Sequence, residues 1–201
     1  MEQMNTNLRN LKKMQFREKI LNSAAQEFKS RGFLNTSISN IMQTANLGVG
    51  TFYNYFESKD EVLTELTKNL FAQVADKIHK EIQKKYSALE LLEFACGNIA
   101  HLIDENKFVL PLLDTAMKNS DKPKKISSPG LRKFFEEIIL LGQERGEIRQ
   151  DIPADVIAEM FHSIYQAAAF SKLEIDFREN VRLKVKILLD GIKNFRSGFN
   201  D

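Results

Sequence analysis

The residue types best placed to do chemistry in this 201-residue chain lie between Gly48 and Tyr55, where Thr51, Asn54 and Tyr55 alternate with the apolar pair Phe52 and Phe56. At ~100° per helical residue, with Phe52 at zero, Phe56 falls at ~40° and Val49 at ~60°, whereas Gly50, Thr51, Asn54 and Tyr55 occupy the arc from ~160° to ~300°. A short helix there has one greasy edge and one edge of hydroxyl and amide groups, the groups that bond to base edges and phosphate oxygens. Gly50 would let a backbone come close, and Tyr53, at ~100° on the same wheel, flanks the polar edge with a hydroxyl suited to a phosphate. Lys59 predicts a positive charge just beyond it. The periodicity alone leaves two readings open, a helix that reads a nucleic acid and the third helix of a plain three-helix core.

Other chemistries find no support. No nucleophile stands beside a base, no glycine loop could cradle a phosphate, and no carboxylate pair has a telling spacing, so no enzyme is expected. His79, His101 and His162 have no i,i+4 partner histidine, and Cys96 is the only cysteine. A metal site, a cofactor and a disulfide are therefore not expected. Cys96 reads as an inert core thiol, with redox sensing as the alternative. The net charge of +2, from 29 basic and 27 acidic residues, is too small for a bulk nucleic-acid coat, so any DNA affinity must be local. Residues 1–60 carry +3, residues 61–126 are neutral and residues 127–201 carry −1, which puts the excess where the short helices fall. No apolar run approaches the ~18 residues that span a bilayer, so a cytoplasmic protein without a membrane partner is expected.

The elements that must position the Gly48–Tyr55 segment read as all-α. Apolar residues recur at three and four, and nine Gly and four Pro punctuate the chain. Phe16, Ile20, Ala24 and Phe28 predict a helix from about Met14 to Arg31, closed by Gly32, and Thr36 is the expected N-cap of a second helix through Ile38, Ile41 and Met42. Ser58 opens a longer helix whose stripe (Val62, Leu66, Leu70, Val74, Ile78, Ile82) steps always by four and winds around it, as a connector between domains would. Further helices follow through Leu91–Ile103, Phe108–Asn119 and Leu131–Leu141, with a loop at Ser120–Pro129. The last two helices, begun near Pro153 and Phe177, carry more apolar surface than one core stripe needs. The surplus predicts a four-helix bundle with a second copy, its seam formed by Ile157, Ile164, Ala167, Ala168, Val185, Leu188, Ile192 and Phe195.

Three runs of residues go further. The segment from Arg17 to Phe28 (REKILNSAAQEF), then Arg31-Gly-Phe with Thr36-Ser-Ile-Ser-Asn-Ile, and the segment from Gly48 to Leu63 (GVGTFYNYFESKDEVL) closely resemble the N-terminal DNA-binding domain of TetR-family transcriptional regulators over about Met14 to Leu66. The resemblance implies about nine helices: a three-helix helix-turn-helix domain at 10–58 and a helical effector-binding and dimerisation domain at 59–201. It implies a homodimeric, usually repressing, ligand-responsive regulator on a pseudo-palindromic double-stranded operator. Carried over by position, operator contacts fall on Thr36, Ser37, Ser39, Val49, Gly50, Thr51, Tyr53, Asn54, Tyr55 and Lys59, although the wheel turns Val49 inward. Two positions depart from the family pattern: Asn46 stands where the turn glycine is usual, a residue that tolerates a left-handed backbone, and Gly48 stands where a polar residue often opens the reading helix.

The resemblance also implies an effector pocket among the middle helices. The Phe-, Met- and Leu-rich residues there predict an apolar or aromatic effector, with His101, Phe108, Leu112, Met117, Phe135, Met160, Phe161, His162, Tyr165 and Phe170 as candidate lining. The competing reading is a small-molecule-binding helical protein whose helix-turn-helix domain is vestigial.

Overall fold

The structure, a computed structural model, describes residues 2–82, 86–110 and 131–194. Among them are eight α-helices and no strand: α1 (Glu2–Arg31), α2 (Ile38–Thr44), α3 (Val49–Phe52), α4 (Lys59–Ile82), α5 (Ala88–Glu105), α6 (Leu131–Glu144), α7 (Ala154–Ala169) and α8 (Phe177–Ile192), with a 3-10 turn at Lys107–Val109 after α5. The predicted helix at Phe108–Asn119 falls mostly, and the Ser120–Pro129 loop wholly, outside the described residues, as do Leu112, Met117 and Phe195. The chain divides into two compact units, Met1–Thr67 with Lys107–Pro111, and Lys68–Asn106 with Leu112–Asp201.

In the first unit, Ile20, Ala24 and Phe28 of α1, Ile41 and Met42 of α2, Phe52 and Phe56, and Val62 and Leu63 at the start of α4 are all buried. Rings dominate this core: Phe28 lies 5.2 Å from Phe33 and 5.8 Å from Phe108, and Phe52 lies 5.8 Å from Phe56. α1 stops because Gly32 turns left-handed at φ 78°. The cap of α2 is Ser37, not the expected Thr36: Ser37 Oγ accepts from Asn40 N (3.1 Å), and Asn40 Oδ1 accepts from Ser37 N (2.9 Å), a capping box. Thr36 turns inward, donating from Oγ1 to the carbonyls of Gly32 (2.8 Å) and Glu27 (3.2 Å). The α2–α3 turn passes through Asn46 at φ 50°, so the asparagine supplies the left-handed residue the turn needs.

In the second unit, α6 packs on α7, α5 on α8, and α7 on α8. Its core runs through Leu92, Ala95 and Ile99, Phe135 and Ile139, Ile157 and Phe161, and Val181 and Val185. Ser87 caps α5 with Glu90 completing a second capping box, and Asp176 caps α8 by accepting from Arg178 N and Glu179 N. Residues of α4 belong to both units, with Val62 and Leu66 buried in its first part and Val74 and Ile78 in its second.

Candidate nucleic-acid interface

α3 is shorter than the sequence suggests. Its four α-helical residues continue through Tyr53 (φ −70°, ψ −8°) as a tighter turn, with Asn54 N and Tyr55 N bonding back to Thr51 O (3.2 Å) and Phe52 O (2.9 Å). Phe52 is wholly buried and Phe56 nearly so, which pins the segment by one edge. The opposite edge is open: Gly50, Tyr53 and Asn54 are exposed, and Thr51 and Tyr55 are half-buried. Among the described residues, no side-chain polar group of Thr51, Tyr53, Asn54 or Tyr55 is spent on a hydrogen bond within the protein. A Cβ built on Gly50 would meet nothing within 4 Å, so the backbone there faces open space. Ser37 and Ser39, at the start of α2, are exposed as well.

Thr36, Val49 and Lys59 are placed differently from one another. Thr36 is 2% exposed with its hydroxyl committed inward, so it holds the α1–α2 corner and presents no side chain outward. Val49 is 45% exposed, against the wheel, because a wheel gives direction about an axis and not whether anything lies beneath, and Val49 is the first residue of its helix. Lys59 is the largest departure. Its Nζ donates to Phe33 O and Thr36 O, both at 2.7 Å, and stands 4.3 Å from the centre of the Phe33 ring. Two of the three ammonium donors thereby clasp the start of α4 to the α1–α2 corner.

The described candidates for the effector lining do not form one set. Phe135 and Phe161 stack at 5.4 Å in the core of the second unit, with Tyr165 buried one turn on. His162 keeps its Nδ1 buried without a hydrogen-bond partner among the described residues, and burial holds its pKa below the ordinary imidazole value, with Glu159 raising and Arg132 lowering it. His101, in contrast, is exposed and pairs with Glu105 at 3.3 Å, Phe108 packs on Phe28 in the first unit, and Met160 and Phe170 are exposed. Periodicity marks an apolar face without saying what covers it. Cys96 is buried, and desolvation pushes its thiol up to about 12 despite the neighbouring Tyr165 hydroxyl, which makes it inert near neutrality.

Of the expected dimer seam, Phe195 lies outside the described residues, and Ile157, Ile164, Ala167, Leu188 and Ile192 line an open groove between α7 and α8. Val185 and Ala168 are buried away from that groove, and Ile157, Ile164, Leu188 and Ile192 form its floor with little of their own surface exposed. The apolar surface that remains bare belongs to Val156 and Met160 on α7 and to Leu183 and Ile187 on α8, Ile187 being 75% exposed. Between the two helices runs an open groove of about 660 Å³ with Ala167 and Gly191 on its walls and Ile157, Ile164, Leu188 and Ile192 in its lining. Leu183 and Ile187, an i,i+4 pair, were legible as a second stripe but were masked by the more regular Val181–Ile192 series.

A three-helix unit with a short, edge-anchored third helix whose polar edge is free is the helix-turn-helix of a DNA-binding transcriptional regulator. Residues 20–66 match the family described as "Bacterial regulatory proteins, tetR family". The chain is 28% identical over 192 residues to the HTH-type transcriptional regulator YdgC of Bacillus subtilis (strain 168), covering 91% of this chain and 86% of that one. It is 24% identical over 145 residues to the fatty acid metabolism regulator protein of the same organism, covering 70% and 75%. Among solved structures, Thermus thermophilus FadR, a TetR-family transcriptional repressor in complex with lauroyl-CoA, superposes with a TM-score of 0.74 at 23% identity, over 90% of this chain and 97% of that one. Residues 20–66 thus carry the TetR-family helix-turn-helix, and the chain shares the fold of TetR-family structures. No described helix is long and apolar enough to cross a membrane.

Proposed function

We propose that the chain is a ligand-responsive repressor that binds a pseudo-palindromic operator as a homodimer, each copy reading one half-site with Gly50, Thr51, Tyr53, Asn54 and Tyr55, flanked by Ser37, Ser39 and Val49. The observation that carries this reading is the asymmetry of α3: Phe52 and Phe56 lock one edge inward while the hydroxyl and amide groups of the other edge have no hydrogen-bond partner among the described residues. Polar side chains without internal partners on a rigidly held edge are available to base edges and phosphates without breaking a hydrogen bond inside the protein. The second copy docks through the bare α7–α8 face. The effector is an apolar molecule taken up in the second unit, where Phe135, Phe161 and His162 lie; the lauroyl-CoA bound by the Thermus relative supports an acyl chain as its class.

Gel-shift titration of DNA from upstream of the protein's own coding region tests the reading. Thr51→Ala and Tyr55→Ala are expected to weaken specific binding by roughly 1–3 kcal/mol each, with helical content unchanged. Lauroyl-CoA is expected to release the wild-type complex. Unchanged affinity in both variants would remove α3 from the interface.

A further inference from the structure

The reading face has a deficit that the rest of the first unit must supply. Duplex DNA carries about one negative charge per 1.7 Å, and affinity rests on cations that displace its counterions. From Gly48 to Ser58 the only charged residue is Glu57. The nearby cations are committed: Lys59 to two carbonyls, Arg31 to Glu27, and Arg17 to Glu65 while lying over the Phe56 ring. The positive charge lies instead on α1, where residues 9–19 hold five basic and one acidic side chain, a net +4 against +2 for the whole chain.

We propose that the first half of α1 is a second DNA-contacting element, in which Lys12, Lys13 and Lys19 grip the phosphate backbone beside the half-site that α3 reads. All three lysines are exposed and have no ion-pair partner among the described residues. With Lys12 at zero, Phe16 falls at ~40° and Lys19 at ~−20°, in line with Ser23 at ~20° and Glu27 at ~60°, and Lys13 flanks them at ~100°. Ser23 and Glu27 are buried, and Glu27 Oε1 accepts from Thr44 Oγ1 of α2 at 2.6 Å, so this is the side of α1 that faces the helix-turn-helix pair. Phe16 sets its ring edge-on to Tyr55 at 6.5 Å, which joins the lysine stripe to the polar edge of α3. An anionic membrane surface is the less suitable partner: the exposed apolar residues Leu11 and Met14 lie on the opposite side at ~260° and ~200°, with Glu18 between them at ~240°.

This inference rests on the α3 reading, and the experiment separates the two. Fluorescence anisotropy of the full chain is followed against NaCl on a 30-bp random-sequence duplex and on the upstream duplex. Each of Lys12→Ala, Lys13→Ala and Lys19→Ala is expected to flatten the slope of log K on log salt by about 0.9, equally on both duplexes, and the triple variant by about 2 to 3. Replacing all three by Arg is expected to restore the slope, and circular dichroism to stay unchanged throughout. Thr51→Ala with Tyr55→Ala is expected to lose the upstream preference and keep the random-duplex slope. A triple alanine variant with the wild-type slope overturns the proposal, as does a loss confined to the upstream duplex. So does a dependence on these lysines for vesicles of phosphatidylserine and phosphatidylcholine with none for DNA. If the wild type binds neither duplex, the α3 reading fails first and carries this one with it.

Discussion

His162, near the middle of α7, has its Nδ1 shielded from solvent with no hydrogen-bond partner among the described residues, and burial favours the neutral ring over the charged one. Its folded pKa therefore lies below the unfolded value of about 6.5. Where the unfolded chain binds the extra proton and the folded chain does not, stability rises with pH. The contribution is complete above about pH 6.5 and is lost as the pH falls below it. Thermal melts at pH 7.5 and 5.5 should show a larger drop in Tm for the wild type than for His162→Gln, whose side chain does not titrate; equal drops would mean that the ring is charged in the fold. Lys59 makes a related point about what one residue type conceals. Its sequence position beside a polar helix suggests a phosphate contact, but in the fold the ammonium donates to the carbonyls of Phe33 and Thr36.

At the scale of elements, helix ends were the most readable feature because they depend on local backbone chemistry. Gly32 and Asn46 both take the left-handed conformation their positions suggested, and Ser58 accepts from Glu61 N at 3.2 Å at the start of α4. What local chemistry does not carry is which neighbour covers a face. Thr36 and Ser37 are equally competent caps until the buried carbonyls of Glu27 and Gly32 capture the threonine. Likewise, of the α8 residues expected at the seam, Val185 is buried in its own bundle whereas Leu188 and Ile192 line the groove beside α7. Gly142 on α6 was invisible for the same reason. A Cβ there would stand 2.6 Å from Ala88 Cβ and 2.5 Å from Ile148 Cδ1, so the absence of a side chain is what lets α6 approach the start of α5. Gly142→Ala should cost about 1–3 kcal/mol of stability in urea unfolding despite its better helix propensity. Adding Ile148→Val should recover only part of this, because Ala88 remains in place. A neutral or stabilising Gly142→Ala would show that the helices can separate freely.

For the whole molecule, the bare face on α7 and α8 and the reading edge on α3 make a joint demand. One copy presents one short helix, too little surface for a specific site, whereas two copies related by a two-fold axis read two half-sites about 34–36 Å apart or a multiple of that. An isologous interface presents every residue twice, so a charge at its centre meets its own image. Ile187, 75% exposed beside the groove between α7 and α8, is the residue to change. Ile187→Glu should shift sedimentation from dimer to monomer with helical content intact, because the side chain has no place in the core to lose. Leu140→Glu, an equally apolar change at a 50% exposed site on α6 outside that groove, should leave the dimer unaffected. The two readouts are then coupled through effective concentration: once one half-site is held, the second contact is intramolecular, and avidity exceeds single-site affinity by roughly 10²–10⁴. The monomeric variant should therefore bind the palindrome no better than an isolated half-site. If Ile187→Glu remains dimeric, the copies meet elsewhere, and the exposed face of α7 and α8 must be explained by a different partner.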